Sequence, residues 1–417
     1  MKTLEIIGNQ ELTGTIRIGG SKNSAVALIP AAILADDKVT ICNVPEITDT
    51  DALCEILEYL NVKVNRASES LVVDPSQMKN KEIPESVSKK LRASYYFMGA
   101  LLGKYKKVEM YFPGGCSIGA RPINFHLKGF EALGAKVTVE KDRYLVEAEE
   151  LIGTDIYLDF ASVGATINIM LAAVKAKGRT IIDNAAKEPE IVNVATFLNN
   201  MGAKITGAGT STIKIQGVQK LHGCFHEVIP DRIQAGTYMI VAALCGNHLK
   251  IDNIIPEHLE ALISKLIEMG VDLDIHQDYV VITKPKTYRH VNVKTLTYPG
   301  FPTDLQQPFM TLLTQCNGRS VLEETIYENR FMHVPYLQKM GANIQIKNMQ
   351  AVIEGPTLLK ACEVEATDLR AGAALVVASL IAEGKTTIKN VEHILRGYEE
   401  IVEKLTNVGA KIEINEI

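Results

Sequence analysis

The chain has 417 residues and a formal net charge of −5, so it offers no basic face for nucleic acid. No apolar run reaches the roughly 18–20 residues of a membrane helix, and the opening MKTLEIIGNQ lacks a signal-peptide core. Seven cysteines without a CxxC pair fit a reducing compartment, and single cores stop growing near ~250–300 residues, so a cytoplasmic two-domain protein is expected.

From the N-terminus onward the same unit recurs six times. Each copy opens on a small-residue helix with a polar start: SKNSAVALIPAAILAD, LRASYYFMGALLGKY, SVGATINIMLAAVKAKG, PDRIQAGTYMIVAALCGN, TDLQQPFMTLLTQCNG and TDLRAGAALVVASLIAEG. These stretches carry almost no charge and read as helices buried on all sides. A β-type run comes after each one: KVTICNV, KVEMYF, RTIIDNA, HLKIDNI, RSVLEET and KTTIKNV. A second helix then ends on a turn residue and re-enters as a strand: EYLNVKV, EALGAKV, NNMGAKI, IEMGVDL, QKMGANI and TNVGAKI. The turn residues Asn61, Gly134, Gly202, Gly270, Gly341 and Gly409 lie 68–73 residues apart. A helix C-terminus often needs a left-handed residue; Gly adopts it without penalty and Asn is the next best choice. The pattern predicts an α/β protein of two domains, each of three repeated units, with helices inside and sheets outside. The boundary is expected near HEVIPDR, residues 226–232.

Candidate functional residues come in the same order. Lys22 and Asn23 stand at a helix start after the glycines of IGGSKN, which is not a Walker phosphate loop. Arg92 opens the second inner helix. GKYKK, residues 103–107, reads as a solvated lysine run at a helix end. YFPGGCSIGARPINFH, residues 111–126, is a glycine-rich loop holding Cys116, whereas the other six cysteines fall in apolar or ordinary strand and loop contexts. Arg121 and Arg396 each lie 13 residues before the turn glycine of their copies, where the other copies carry Thr48, Pro189, Glu257 and Glu328. The scaffold therefore does not require arginine there, and paired guanidinium groups suit phosphate or carboxylate. Asp231, Asp304 and Asp368 open three inner helices, where each could simply cap. Arg330 and His333 of ENRFMHV read equally as site or packing residues. The nine histidines show no metal spacing, so no metal site is expected.

The segments GGSKNSA, LRASYYFMGAL, PGGCSIGARP, SVGATINIM, EPEI, PDR, FPTDLQ, ENRFMHVPYL, ATDLRAGAAL and HILRGYE occur in this order, within a likeness that runs from about residue 6 to 415. Together they resemble the UDP-N-acetylglucosamine enolpyruvyl transferase family, PGGCSIGARP being the most specific. The resemblance implies two inside-out α/β domains, residues 22–229 and 1–21 plus 230–417, with the active site in the cleft between them. It implies transfer of the enolpyruvyl group of phosphoenolpyruvate to the sugar 3′-hydroxyl, without metal or cofactor. The implied partners are these two small molecules, with no nucleic acid, membrane or obligate protein partner. Cys116 matches the family's proton donor and Asp304 its base, with Lys22 and Arg396 also catalytic. Lys22, Asn23, Cys116, Arg121, Arg370 and Arg396 match the phosphoenolpyruvate positions. Asn23, Arg92, Arg121, Pro122, Ile123, Asn124, Phe125, Ser162, Val163, Gly164, Asp304 and Ile326 match those for the nucleotide sugar. Some family members carry Lys shortly before the SVGAT motif, where Phe160 and Ala161 stand here. The shikimate-pathway relative reads SKS and lacks the cysteine loop. That relative and a non-catalytic nucleotide-sugar-binding paralogue are the alternative readings.

Overall fold

The computed structural model describes residues 2–67, 70–114 and 123–416. All six turn residues take the left-handed conformation, with φ of 66° at Asn61 and between 89° and 106° at the five glycines. The inner helices are Lys22–Ala31, Tyr96–Tyr105, Val163–Ala173, Arg232–Cys245, Gln306–Leu313 and Leu369–Ile381. Nearly every residue in them is buried, as their lack of charge requires.

The chain divides into two compact units. One holds the residues up to Gly19 together with those from Pro230 on, and the other the described residues from Gly20 to Ile229. The chain passes between them at Gly19–Gly20 and again at Ile229–Pro230. Ser21 belongs with the Lys22–Ala31 helix, because its hydroxyl caps that helix by accepting from Ser24 N. Each unit has its own apolar core, built from three inner helices and the inward faces of three sheets.

Four of the six sheets share one order. A short parallel strand flanks the strand that succeeds the inner helix, and an antiparallel pair completes the set, a hairpin in three of the four. In the 20–229 unit, Phe225–Glu227 at the far end of the unit completes the first copy's sheet beside Val39–Cys42. In the other unit, Leu12–Arg17 flanks Gly246–Asp252. Lys2–Ile7 lies between Lys385–Lys389 and Lys411–Glu416, antiparallel to both, and so supplies the strand that would close the sixth copy. Pairings across more than 200 residues cannot be read from local pattern.

A recurring device ends the strands. Asn43, Asn184 and Asn253 adopt φ of 54–59° and donate a side-chain hydrogen bond to the carbonyl just past the parallel neighbour, at Val228 (3.0 Å), Leu158 (2.7 Å) and Ile18 (2.7 Å). Asn390 holds the same register and conformation in the sixth copy, with φ of 57°. The second and fifth copies differ, placing Phe112 and Glu324 there.

The same two copies differ at the start of the inner helix. Ser21, Ser162, Asp231 and Asp368 accept backbone N–H bonds as caps. The second and fifth copies begin instead with the 3₁₀ turns Arg92–Tyr95 and Thr303–Leu305, which no side chain caps. One sequence expectation is corrected in this region. Lys104 is not on a solvated face; its ammonium donates to Ala35 O (2.6 Å) and pairs with Asp36 (3.5 Å) under cover of the core. Among the described residues no helix is long and apolar enough to cross a membrane.

Candidate active site

In the 20–229 unit, Lys22 is the first residue of its helix, and its ammonium lies 3.1 Å from the carboxylate of Asp49 in the first turn of Thr48–Tyr59. Only 15% of the Lys22 side chain is exposed, so the charge is held in place. Asn23 is next in the chain, partly buried. Nothing in the sequence pattern points to Asp49, although it adjoins Thr48, the register partner of the two arginines.

Arg92 lies over the ring of Tyr95, 5.8 Å from its centroid. Tyr95 meets His126 edge-on at 4.8 Å, and His126 sits on the Asn124–Ala132 helix with Asn124 exposed, Phe125 half-buried and Ile123 buried just before it. Asn168 fixes this group from below. Its Oδ1 accepts from Gly99 N (2.7 Å), and its Nδ2 donates to Tyr95 O (2.9 Å) and to His126 Nδ1 (3.0 Å). The imidazole proton is thereby placed on Nε2.

Ser162 caps the next helix, with Val163 and Gly164 in its first turn. A Cβ on Gly164 would stand 2.7 Å from Tyr95 Oη and 3.0 Å from His126 Cε1, so a larger residue would have to displace these two rings. Arg92, Asn124–His126 and Ser162–Gly164, scattered over some 70 residues of sequence, thus form one neighbourhood at the Ser162-capped start of a helix, whose dipole and the Arg92 charge suit anions. Phe160 beside it is 45% exposed. Cys116, Arg121 and Pro122 lie outside the described residues.

In the other unit the three aspartates part company. Asp231 accepts from Ile233 N (2.8 Å) and Gln234 N (2.9 Å), and Asp368 from Arg370 N (2.9 Å) and Ala371 N (3.0 Å); both cap. Asp304 caps nothing. Its Oδ1 accepts from Arg330 Nη2 at 2.7 Å and its Oδ2 from Arg370 Nη2 at 3.1 Å. Both arginines are 4% exposed, which settles Arg330 as part of this cluster. Arg370 also donates to Tyr398 Oη (3.3 Å), itself bonded to Thr237 Oγ1 (2.8 Å). Burial alone would lower the Arg370 guanidinium, but Asp304 first, then Tyr398 and Asp231, outweigh it and hold the group above its ordinary value. Two fixed guanidinium groups aim the Asp304 carboxylate, and the same guanidinium groups suit an anionic ligand. Arg396 directly succeeds the Glu392–Leu395 helix, two residues before Tyr398, and Ile326 donates its backbone N–H to Glu324 Oε1 (2.8 Å).

Two buried histidines accompany these groups. Burial first, and then the nearby charge of Arg92 or Arg330, pushes His126 and His333 down to about 3 from 6.5. Both are neutral in the folded protein, while the unfolded chain takes up a proton below about pH 6.5. The unfolded state then binds more protons, so stability is level above that pH and falls as pH drops from 6.5 towards 3, by up to about 1.4 kcal/mol per pH unit for each histidine. Thermal melts at neutral and mildly acidic pH are expected to show this loss, and His126→Gln or His333→Gln to reduce it. A pH dependence of the melting temperature that is unchanged from the parent protein in both variants would show that these imidazoles protonate in place.

The chain matches the EPSP synthase (3-phosphoshikimate 1-carboxyvinyltransferase) family over residues 6–405. It is 55% identical over 409 residues to UDP-N-acetylglucosamine 1-carboxyvinyltransferase 2 of Listeria monocytogenes, covering 98% of this chain and 97% of that one. The protein of the same name from Geobacillus kaustophilus is 55% identical over 412 residues, covering 99% and 96%. Among solved structures, the enolpyruvyl transferase NikO from Streptomyces tendae superposes with a TM-score of 0.89 at 27% identity over 99% of both chains. EPSP synthase from Acinetobacter baumannii gives 0.78 at 19% identity over the whole of both, a likeness of fold alone. With a family match over nearly its whole length and relatives more than half identical to it, the chain belongs to the 1-carboxyvinyltransferase, or enolpyruvyl transferase, family.

Proposed function

We propose that this protein transfers the enolpyruvyl group of phosphoenolpyruvate to the 3′-hydroxyl of UDP-N-acetylglucosamine and releases phosphate, the first committed step of peptidoglycan synthesis, in the cytoplasm. The observation that carries the reading is the 55% identity, over 98–99% of the chain, to UDP-N-acetylglucosamine 1-carboxyvinyltransferases.

The chemistry assigns the roles. Cys116 gives a proton to the methylene carbon of phosphoenolpyruvate, which makes the adjacent carbon electrophilic. Asp304 takes the proton of the 3′-hydroxyl as its oxygen adds to that carbon, giving a tetrahedral phosphate ketal. Loss of phosphate and of a methyl proton restores the enol ether. An unperturbed thiol, with pKa about 8.5, is mostly protonated at neutral pH and can serve as the acid. Lys22, Arg121 and Arg396 hold the phosphate and Arg370 the carboxylate, with Asn23 beside Lys22. Arg92, the segment 121–125, Ser162–Gly164 and Ile326 hold the nucleotide sugar. Where some relatives place Lys before Ser162, the Arg92 neighbourhood is left to meet the diphosphate. Both substrates are anionic small molecules, in keeping with the charged groups gathered in each unit.

Phosphate release from phosphoenolpyruvate, measured with UDP-N-acetylglucosamine and with shikimate 3-phosphate as acceptors, tests the proposal. Turnover is expected only with the nucleotide sugar. Turnover with shikimate 3-phosphate would move the protein to the other branch, and binding of the nucleotide sugar without phosphate release would make it a sensor.

A further inference from the structure

We propose that Glu324 is a positioning residue for the transfer reaction, locking the turn that carries Asp304 and the backbone at Ile326 in one fixed arrangement. The inference rests on the roles given above to Asp304 and Ile326. Its first support is the repeat. Four copies place a left-handed Asn at this register, and in three of them that side chain ties the strand end to the carbonyl past its parallel neighbour. In the fifth copy the equivalent carbonyl is that of Thr295, just past Val293–Lys294, and the hydroxyl of Thr325 donates to it instead. The scaffold tie is therefore made without Glu324. The only other copy without the Asn leads from Phe112 into PGGC and the proposed acid.

The second support is what the carboxylate holds. Glu324 is 1% exposed. Its Oε1 accepts from Thr295 Oγ1 (2.8 Å), Ile326 N (2.8 Å) and Tyr327 N (3.4 Å), and its Oε2 from Thr303 Oγ1 (2.9 Å). Burying a carboxylate is costly unless such bonds compensate it, so an apolar residue would suit a purely structural position better. Thr303 is the first residue of the uncapped 3₁₀ turn Thr303–Leu305, and the bond from its hydroxyl to Glu324 anchors the start of that turn through a side chain. Asp304 is thus held from two sides: its carboxylate by Arg330 and Arg370, its backbone by Thr303 through Glu324. A base that must meet one hydroxyl gains from being fixed before substrate arrives.

Steady-state kinetics and thermal melts of Thr303→Val, Thr303→Ser, Glu324→Gln and Asn253→Ala on the full chain test this. Thr303→Val and Glu324→Gln are expected to lower kcat by about 10–100-fold, the effect of a small misplacement, with KM for phosphoenolpyruvate little changed. Glu324→Gln should also raise KM for UDP-N-acetylglucosamine, through Ile326. Thr303→Ser keeps the hydroxyl and should restore most of kcat. Asn253→Ala removes the scaffold tie of the fourth copy and should lower the melting temperature without lowering kcat. Full turnover in Thr303→Val and Glu324→Gln, or a kcat that tracks melting temperature alike in all variants, would overturn the inference alone. A wild-type protein inactive with the nucleotide sugar would overturn it together with the proposed function.

Discussion

Asp304→Asn is expected to lower kcat by about 10²–10⁴-fold, the usual worth of a positioned base, while the nucleotide sugar still binds. The change should also cost stability, because the carboxylate lies between Arg330 and Arg370 and the amide can accept from one guanidinium while turning its NH₂ towards the other. Breaking a fully buried pair costs about 3–5 kcal/mol. Asp304 is 24% exposed, so the loss should be smaller. Turnover is therefore to be measured per binding site titrated with UDP-N-acetylglucosamine, below the melting temperature. Asp231→Asn is the control. Asp231 is a helix cap, and Asn caps as well as Asp; the lost charge also weakens the support of Arg370, so some stability should go but turnover should fall far less than in Asp304→Asn. Equal losses of turnover at the two positions would remove Asp304 from the role of base.

Cys116→Ser should lose most turnover, by about 10²–10⁴-fold if the thiol is the acid, since a hydroxyl is far weaker. Cys116→Asp could retain part of it. An epoxide phosphonate that mimics phosphoenolpyruvate, such as fosfomycin, should alkylate Cys116 alone. Five of the six described cysteines give a physical reason. Burial first of all raises Cys54, Cys224, Cys245, Cys316 and Cys362, to about 11 at Cys224 and about 12 at Cys245 and Cys316, which leaves almost no thiolate at neutral pH. Intact mass and peptide mapping after treatment would show one adduct. Adducts spread over several cysteines, or an active Cys116→Ala protein, would overturn the assignment.

The repeat was legible because its signals are local. A left-handed residue after a helix and an uncharged inner helix are visible within a short window, and all six turn residues and all six helices stand where that pattern puts them. Asp231, Asp304 and Asp368 looked alike because each precedes a helix. What separates them is tertiary: two meet N–H groups of their own helix, and one meets guanidinium groups 26 and 66 residues away. His126 and Asn168 carried no sequence signal, since a buried histidine and a helical asparagine are ordinary. Glu324 did carry one. In the strand phrases ICN, IDN, IDN and IKN, the fifth copy reads LEE, and comparing the copies position by position would have singled it out.

The placement of Lys2–Ile7 affects how the molecule is made. Both of its neighbours in the sheet belong to the last stretch of chain, Lys385–Lys389 and Lys411–Glu416. As the polypeptide leaves the ribosome, the unit from Gly20 to Ile229 has every strand it needs once residue 229 has emerged, since Phe225–Glu227 completes its first sheet. Lys2–Ile7 must wait for its partners until residue 416 has emerged, with both edges unsatisfied, and then insert between them. At about 5–20 residues per second, the interval between completion of the two units is on the order of 10–40 s. Lys2 and Glu5 place charge on this strand, a feature that disfavours edge-to-edge pairing where strand edges are exposed.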